Sequence, residues 1–212
     1  MQLMNKRQQI INEIWSSITH GFGVLLSVAA LVLLIIKGIH SHDQVELAAM
    51  IIYGISLVTL YLASTLFHSL YFTKARRVLQ LIDHTNIFIL IAGTYTPFCL
   101  LGMGRSFGFK LLLAIWGLCL LGIILHQFLP AKLQWIETTI YVILGWLCLL
   151  GFRQLWASLG MNGFLLLLGG GLCFTFGAVI YSFRNLKYSH VYWHLIVLAG
   201  TILMFFSVYF YL

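Results

Sequence analysis

Ser189-His190-Val191-Tyr192-Trp193-His194 opens the last apolar run of the chain, and the stretch behind it, Leu195 to Leu212, carries no charged residue. Roughly 20 apolar residues cross a bilayer, so this segment reads as a membrane helix entered through two imidazoles. Residues four apart lie on one helix face, one turn above the other. Two imidazoles so placed can grip one metal ion, the geometry that H-E-x-x-H metalloproteases also use. Titratable rings at the mouth of a hydrocarbon-spanning helix are costly and call for a partner. Further ligands are therefore expected at the same depth.

Composition agrees with a membrane setting. Of 212 residues, 61% are hydrophobic and 8% charged, and the mean hydropathy is +1.00. Soluble domains carry roughly 25% charged residues, so too few are present to cover a water-facing surface. The net charge of +7 comes from 12 Lys and Arg scattered between apolar runs. That is a pattern of membrane anchoring and topology, and it excludes a nucleic-acid-binding face. Cys99, Cys119, Cys148 and Cys173 sit inside apolar runs without C-x-x-C spacing and read as small buried hydrophobes outside any disulfide.

Residues 1–16 hold Lys6, Arg7, Asn12 and Glu13, with Ile10, Ile11 and Ile14 at helical spacing, and predict a short amphipathic helix on the membrane surface. The run at about 18–36 is long enough to span and is read as an uncleaved first helix. Six further runs lie at about 46–68, 80–101, 108–127, 135–155, 161–182 and 190–211, with polar or basic breaks such as Lys74-Ala75-Arg76-Arg77 and Pro130-Ala131-Lys132. The expectation is an all-α membrane protein: a single seven-transmembrane-helix bundle over 1–212. Lys and Arg counts set its orientation. Lys6, Arg7, Lys74, Arg76, Arg77, Lys132, Arg184 and Lys187 fall on one side, and Lys37, Arg105, Lys110 and Arg153 on the other. The bias predicts a cytoplasmic amino terminus and an external carboxyl terminus.

With that topology, His68 at the end of the second helix, Asp83 near the start of the third, and His190 and His194 at the start of the seventh share the cytoplasmic depth. Asp83 lies roughly 9 Å beyond Arg77 at 1.5 Å per residue, inside the embedded part of the bundle. Ser64 sits one turn deeper than His68 on the same face. Three His leave a fourth zinc position for water in a catalytic site. A carboxylate beside that water can take its proton, and Asp83 is the candidate.

Other polar residues have blander readings. A lone His at a helix end is most often an interfacial polar group; His20, His84 and His126 are read so, with a supporting role left open, above all for His84 beside Asp83. His40 and His42 fall in a far-side loop and are expected to be solvated. Pro97 is expected to kink the third helix, and Gly169-Gly170-Gly171 to permit close helix packing.

Ser64-x-x-x-His68, Asp83 early in the third helix and His190-x-x-x-His194 opening the seventh together resemble the hemolysin III branch of the progestin and adipoQ receptor family, over essentially the whole chain. The resemblance implies a zinc ion near the cytoplasmic side. His68, His190 and His194 would be the direct ligands, Asp83 would act through a water on the metal, and Ser64 would line the site. It also implies kinship with alkaline ceramidases, hence hydrolysis of an amide or ester on a lipid-like substrate, with Asp83 and Ser64 as catalytic residues. The short amino terminus lacks the long extension of the animal receptors, so the expected home is a bacterial plasma (inner) membrane. Membrane lipids are the expected partners.

Two functions of different class follow. One is a zinc-dependent intramembrane hydrolase. The other is a non-enzymatic membrane protein, either a pore-forming hemolysin or a sensor of membrane lipid state, in which zinc would be structural and hold helices together. Few ionisable groups lie within the spans outside the His cluster, which disfavours a wide aqueous pore through one chain.

Overall fold

The structure, a computed structural model, describes residues 5–128, 134–183 and 186–212. Among them the chain is helical throughout, with no strand. The expected break at Pro130-Ala131-Lys132 and two charges of the orientation count, Lys132 and Arg184, lie outside the described residues.

Helix α1 runs unbroken from Lys6 to His40. A capping box starts it: the Asn5 side chain accepts from the Gln8 amide at 2.9 Å, and Gln8 Oε1 accepts from the Asn5 amide at 3.1 Å, satisfying two otherwise orphaned donors. Of the stretch expected to form a separate surface helix over 1–16, residues 1–4 lie outside the described residues, and from Lys6 on it is the beginning of α1. Its polar residues face inward: Asn12, Glu13, Ser16 and His20 are buried and continue into Gly23, Ser27, Ala30, Leu34 and Gly38. These positions recur at three and four residues, a single helix face. Its middle is lined by small side chains, as in helix pairs that approach closely in lipid. The opposite face, including Ile18, Phe22 and Leu25, is exposed, as suits a lipid-facing surface where every backbone group is paired within the helix.

Helix α2 spans Gln44–Ser69 and starts at Asp43, whose carboxylate accepts from the Val45 amide at 2.8 Å. Helix α3 spans Arg76–Pro97. Pro97, which has no N–H to give, closes α3, and the chain passes through π-helical turns at Phe98–Gly102 and Gly104–Gly108. The helical path continues past the proline, which stands where the α pattern gives way to a π turn. Helix α4 spans Phe109–His126, α5 Gln134–Trp146, α6 Phe152–Ser182 and α7 Ser189–Tyr211.

Among the described residues, six stretches are long and apolar enough to cross a membrane: Lys6–His40, Gln44–Ser69, Arg76–Gly102, Gly104–His126, Trp135–Ser182 and Ser189–Tyr211. The sequence reading expected seven. The fifth and sixth expected runs are joined, because a short 3-10 segment at Leu147–Gly151 carries α5 directly into α6. This 48-residue stretch is not straight. Gly160 adopts φ 61° and ψ −174° inside α6, a left-handed conformation that glycine reaches without a Cβ penalty. The rings of Phe152 and Phe164 lie 5.3 Å apart, whereas twelve residues of straight helix would separate them by roughly 18 Å. The indole of Trp146 likewise donates to Thr175 Oγ1 at 2.9 Å.

α1 packs on α2 and α7, α2 on α3, α3 on α4 and α5, and α6 on α5 and α7. Tyr53, Tyr61, Phe88, Met103 and Ile115 fill the shared interior. A Cβ on Gly170 would meet the Met204 side chain and the Gly200 carbonyl, so the triple glycine lets α6 and α7 approach closely. The four cysteines are free thiols.

Candidate metal centre

One end of the bundle gathers the start of α1, the end of α2, and the starts of α3 and α7. His68 stands in the last turn of α2, and His190 and His194 occupy successive turns of α7. One ligand atom from each of the three lies within 4.8 Å of the others, so the group could hold a metal ion. His190 Nε2 and His68 Nε2 are 3.1 Å apart. A tetrahedral ion with metal–nitrogen bonds of roughly 2.0–2.1 Å needs nitrogens roughly 3.4 Å from one another, so the spacing fits one ion.

Hydrogen bonds select which ring nitrogen is free. His68 Nδ1 lies 2.7 Å from Glu13 Oε2. The ring donates there, which leaves the Nε2 lone pair aimed at His190. His194 Nδ1 lies 3.2 Å from the Ser16 carbonyl, so its proton sits on Nδ1 and Nε2 is free. Metal-ligating imidazoles are commonly oriented in this way by a carboxylate or a backbone carbonyl. Both orienting groups come from α1. His20, also on α1, stacks on His194 with ring centroids 3.5 Å apart and 11° between planes.

Asp83 is 8% exposed and Ser64 1% exposed. Ser64 on α2 and Asp83 on α3 line one cavity. Asp83 stands outside the three-imidazole group but lines the same cavity as His190 and His194.

That cavity has a volume of about 180 Å³, more than the roughly 150 Å³ of an engineered apolar cavity that takes up benzene. Its walls include Asp83, His84, Ile87, Ile91 and Tyr95, one or two positions per turn from Asp83 onward in α3, and Phe98 just beyond it. Asp83 to Phe98 spans roughly 22 Å along the helix. Away from the histidines the lining is mostly apolar, including Leu155, Phe164, Leu167 and Met204. A second cleft of about 200 Å³, lined by Asn12, Glu13, Arg76, Gln80 and others, reaches His68 and His190. The imidazole group thus sits where a polar cleft meets an apolar cavity.

The structure brings together His68, His190 and His194, with Asp83 and Ser64 beside them, all named from the sequence. Glu13 was missed. Its amphipathic stretch looked like a membrane-surface helix, although its spacing of seven from His20, two turns on one face, was a usable signal. His20, His84 and His126 differ from the interfacial reading. His20 is buried against His194, and the rings of His84 and His126 lie together, centroids 5.4 Å apart. His40 and His42 are exposed, as expected.

The family model for "Haemolysin-III related" proteins matches residues 8–205. The chain is 42% identical to "Hemolysin-3 homolog" of Bacillus subtilis (strain 168) over 202 residues, covering 95% of each chain. It is 40% identical to "Hemolysin-3" of Bacillus cereus over 204 residues, covering 96% of this chain and 93% of that one. The apolar helices and bacterial relatives make it a multi-pass protein of a bacterial plasma membrane. This chain belongs to the haemolysin-III-related family.

Proposed function

We propose that the protein is a zinc-dependent intramembrane hydrolase that cleaves an amide or ester bond in a lipid-like substrate. The observation that carries this reading is the placement of three convergent imidazoles and a buried carboxylate between a polar cleft and an elongated apolar cavity. Water reaches such a site from one side and an acyl chain from the other. The donor set, three neutral imidazoles with their Nδ1 protons directed away at His68 and His194, suits a borderline divalent ion. His68, His190 and His194 hold zinc in this reading. When bound, zinc supplies Lewis acidity toward the substrate carbonyl and the attacking water.

The chain's own residues do the rest. The apolar wall of the cavity binds the acyl chain and positions its carbonyl near His190 and His194. Asp83 accepts a proton from the attacking water as the new C–O bond forms, then delivers it to the leaving nitrogen or oxygen as the scissile bond breaks. Ser64 donates its one O–H to the Asp83 carboxylate; once Asp83 has taken the proton it donates to Ser64 Oγ, and the Ser64 O–H is free to turn to the carbonyl oxygen where charge has developed. Glu13 and the Ser16 carbonyl hold two ligating rings in one tautomer and orientation.

We further infer seven membrane crossings, counting the fold at Gly160 as a reversal between two of them, with the amino terminus cytoplasmic. Support comes from the alternation of helix ends at the His cluster, where α1, α3, α5 and α7 begin and α2, α4 and α6 finish. The test of function is turnover of long-chain N-acyl amide and ester probes by purified protein. Asp83→Asn and His194→Ala should each lower the rate by roughly 10²–10⁴-fold; unchanged rates would defeat the proposal.

A second reading follows the name of the Bacillus cereus relative, Hemolysin-3: membrane lysis or lipid sensing without catalysis, with a structural metal. Ion flux in liposomes that persists after His68, His190 and His194 are all replaced would favour it. The largely apolar cavity wall speaks against an aqueous pore through one chain.

A further inference from the structure

At the same end of the bundle, on the far side of α3, stands a second convergence of ligating groups. His84 follows Asp83 directly on α3. Successive helical residues point roughly 100° apart, so when Asp83 faces α2, His84 turns toward α4 and α5. There it meets His126, the last residue of α4, and Glu137, in the first turn of α5. One ligand atom from each of the three lies within 4.8 Å of the others, and His126 Nδ1 touches Glu137 Oε1. Nearby, the Tyr141 hydroxyl donates to the His84 carbonyl at 3.3 Å and ties α5 to α3.

The chemistry of this trio is not that of a solvated surface. Glu137 is 6% exposed, and its ionic partner among the described residues is His126. As metal ligands, the two imidazoles would be neutral and the carboxylate would bring one negative charge into a largely apolar setting, which a divalent ion would offset. Buried charges are paired or coordinate metals. Two His and one Glu with an open fourth position is also the donor set of a large class of zinc centres. Among the described residues no Lys or Arg forms an ion pair with Glu137. Its three members come from three separate helices, and α4 packs chiefly on α3 with little direct contact to α5.

We propose that His84, His126 and Glu137 form a second divalent-metal site, suited to zinc, that clamps the ends of α3, α4 and α5 beside the His68 centre. Because His84 and Glu137 also line the apolar cavity, an ion bound there fixes one wall of that cavity and the backbone carrying Asp83. The proposal rests on its own three residues and does not require the first site to be catalytic.

The experiment is metal analysis of the full-length protein purified in detergent and loaded with Zn²⁺, followed by Co²⁺ titration read by visible absorption. The wild type should hold about two equivalents per chain, and His126→Ala and Glu137→Gln about one each. His68→Ala should also hold about one, and adding Glu137→Gln to it should remove the rest. The Co²⁺ titration uses the His68→Ala/His190→Ala chain, in which the trio is intact, so folding defects at the trio cannot hide the answer. A saturable site with cobalt d–d bands there supports the proposal. A wild type whose metal content is unmoved by His126→Ala and Glu137→Gln, with no cobalt bands in the His68→Ala/His190→Ala chain, overturns it. Metal lost with His126→Ala but kept with His68→Ala would support this site while sinking the zinc reading of the first.

Discussion

Removing the Glu13 carboxylate tests whether α1 is part of the metal centre. Glu13 Oε2 lies 2.7 Å from His68 Nδ1, and the two side chains are 8% and 2% exposed. Water and salt therefore screen this contact little. Hydrogen bonds to charged groups contribute about 1.5–3 kcal/mol, and 1.4 kcal/mol is about tenfold in affinity. Glu13→Ala should thus weaken zinc binding by about 10–100-fold, the range found when the orienting partners of metal ligands are removed. Glu13→Gln keeps an acceptor oxygen but loses the charge. Charge-assisted bonds are about twice as strong as neutral ones, so it should cost about 3–10-fold. The assay is competition for Zn²⁺ between purified protein and a chromophoric chelator at fixed pH, with the thermal midpoint of the metal-free protein followed in parallel. A merely structural role would lower that midpoint and leave affinity alone. Affinity within about twofold of wild type for Glu13→Ala, or a larger loss for Gln than for Ala, would refute the reasoning.

Two further outcomes follow from packing. A Cβ at Gly93 would fall 2.3 Å from Ser56 Oγ and 2.5 Å from Ser56 Cβ, so Gly93→Val should overpack the α2–α3 contact by about 1–3 kcal/mol. Its thermal midpoint in detergent should drop by several degrees, while Gly117→Ala, where an added Cβ meets nothing within 4 Å, should not fall; equal midpoints would contradict the close approach of α2 and α3. Leu90 is 6% exposed and lines the cavity partway along α3, so Leu90→Trp should cut turnover of long-chain substrates by about tenfold or more, at roughly 1–3 kcal/mol per excluded methylene. Short-chain turnover and metal content should be kept, and a loss independent of chain length would remove the cavity from the acyl-binding role.

What was legible in the sequence is what depends on local period and bulk composition. A charge content of 8% excludes a water-facing surface. The spacing of His190 and His194 places both on one face because an α-helix repeats every 3.6 residues. Counting spans then brings His68 and Asp83 to the same depth, since membrane thickness fixes helix length. Pattern alone misread the start of α1. A polar stripe has the same period whether it faces lipid headgroups or a polar patch on neighbouring helices. Only the packing of α1 against α2 and α7 turns Asn12, Glu13, Ser16 and His20 inward and supplies the partners of His68 and His194. The helical join between the fifth and sixth runs was also not legible, because hydropathy does not report a 3-10 segment at Leu147–Gly151 or a left-handed φ at Gly160. His84, His126 and Glu137 converge for the same kind of reason. They belong to three helices whose ends meet only in the folded bundle, and a contact of that kind has no period to read. Composition and spacing by themselves determined a bundle of membrane helices with a metal-ready pair of imidazoles. Tertiary packing decided which carboxylate orients them and where the second cluster lies, because buried charges must find partners and lipid-embedded helices find them only in one another.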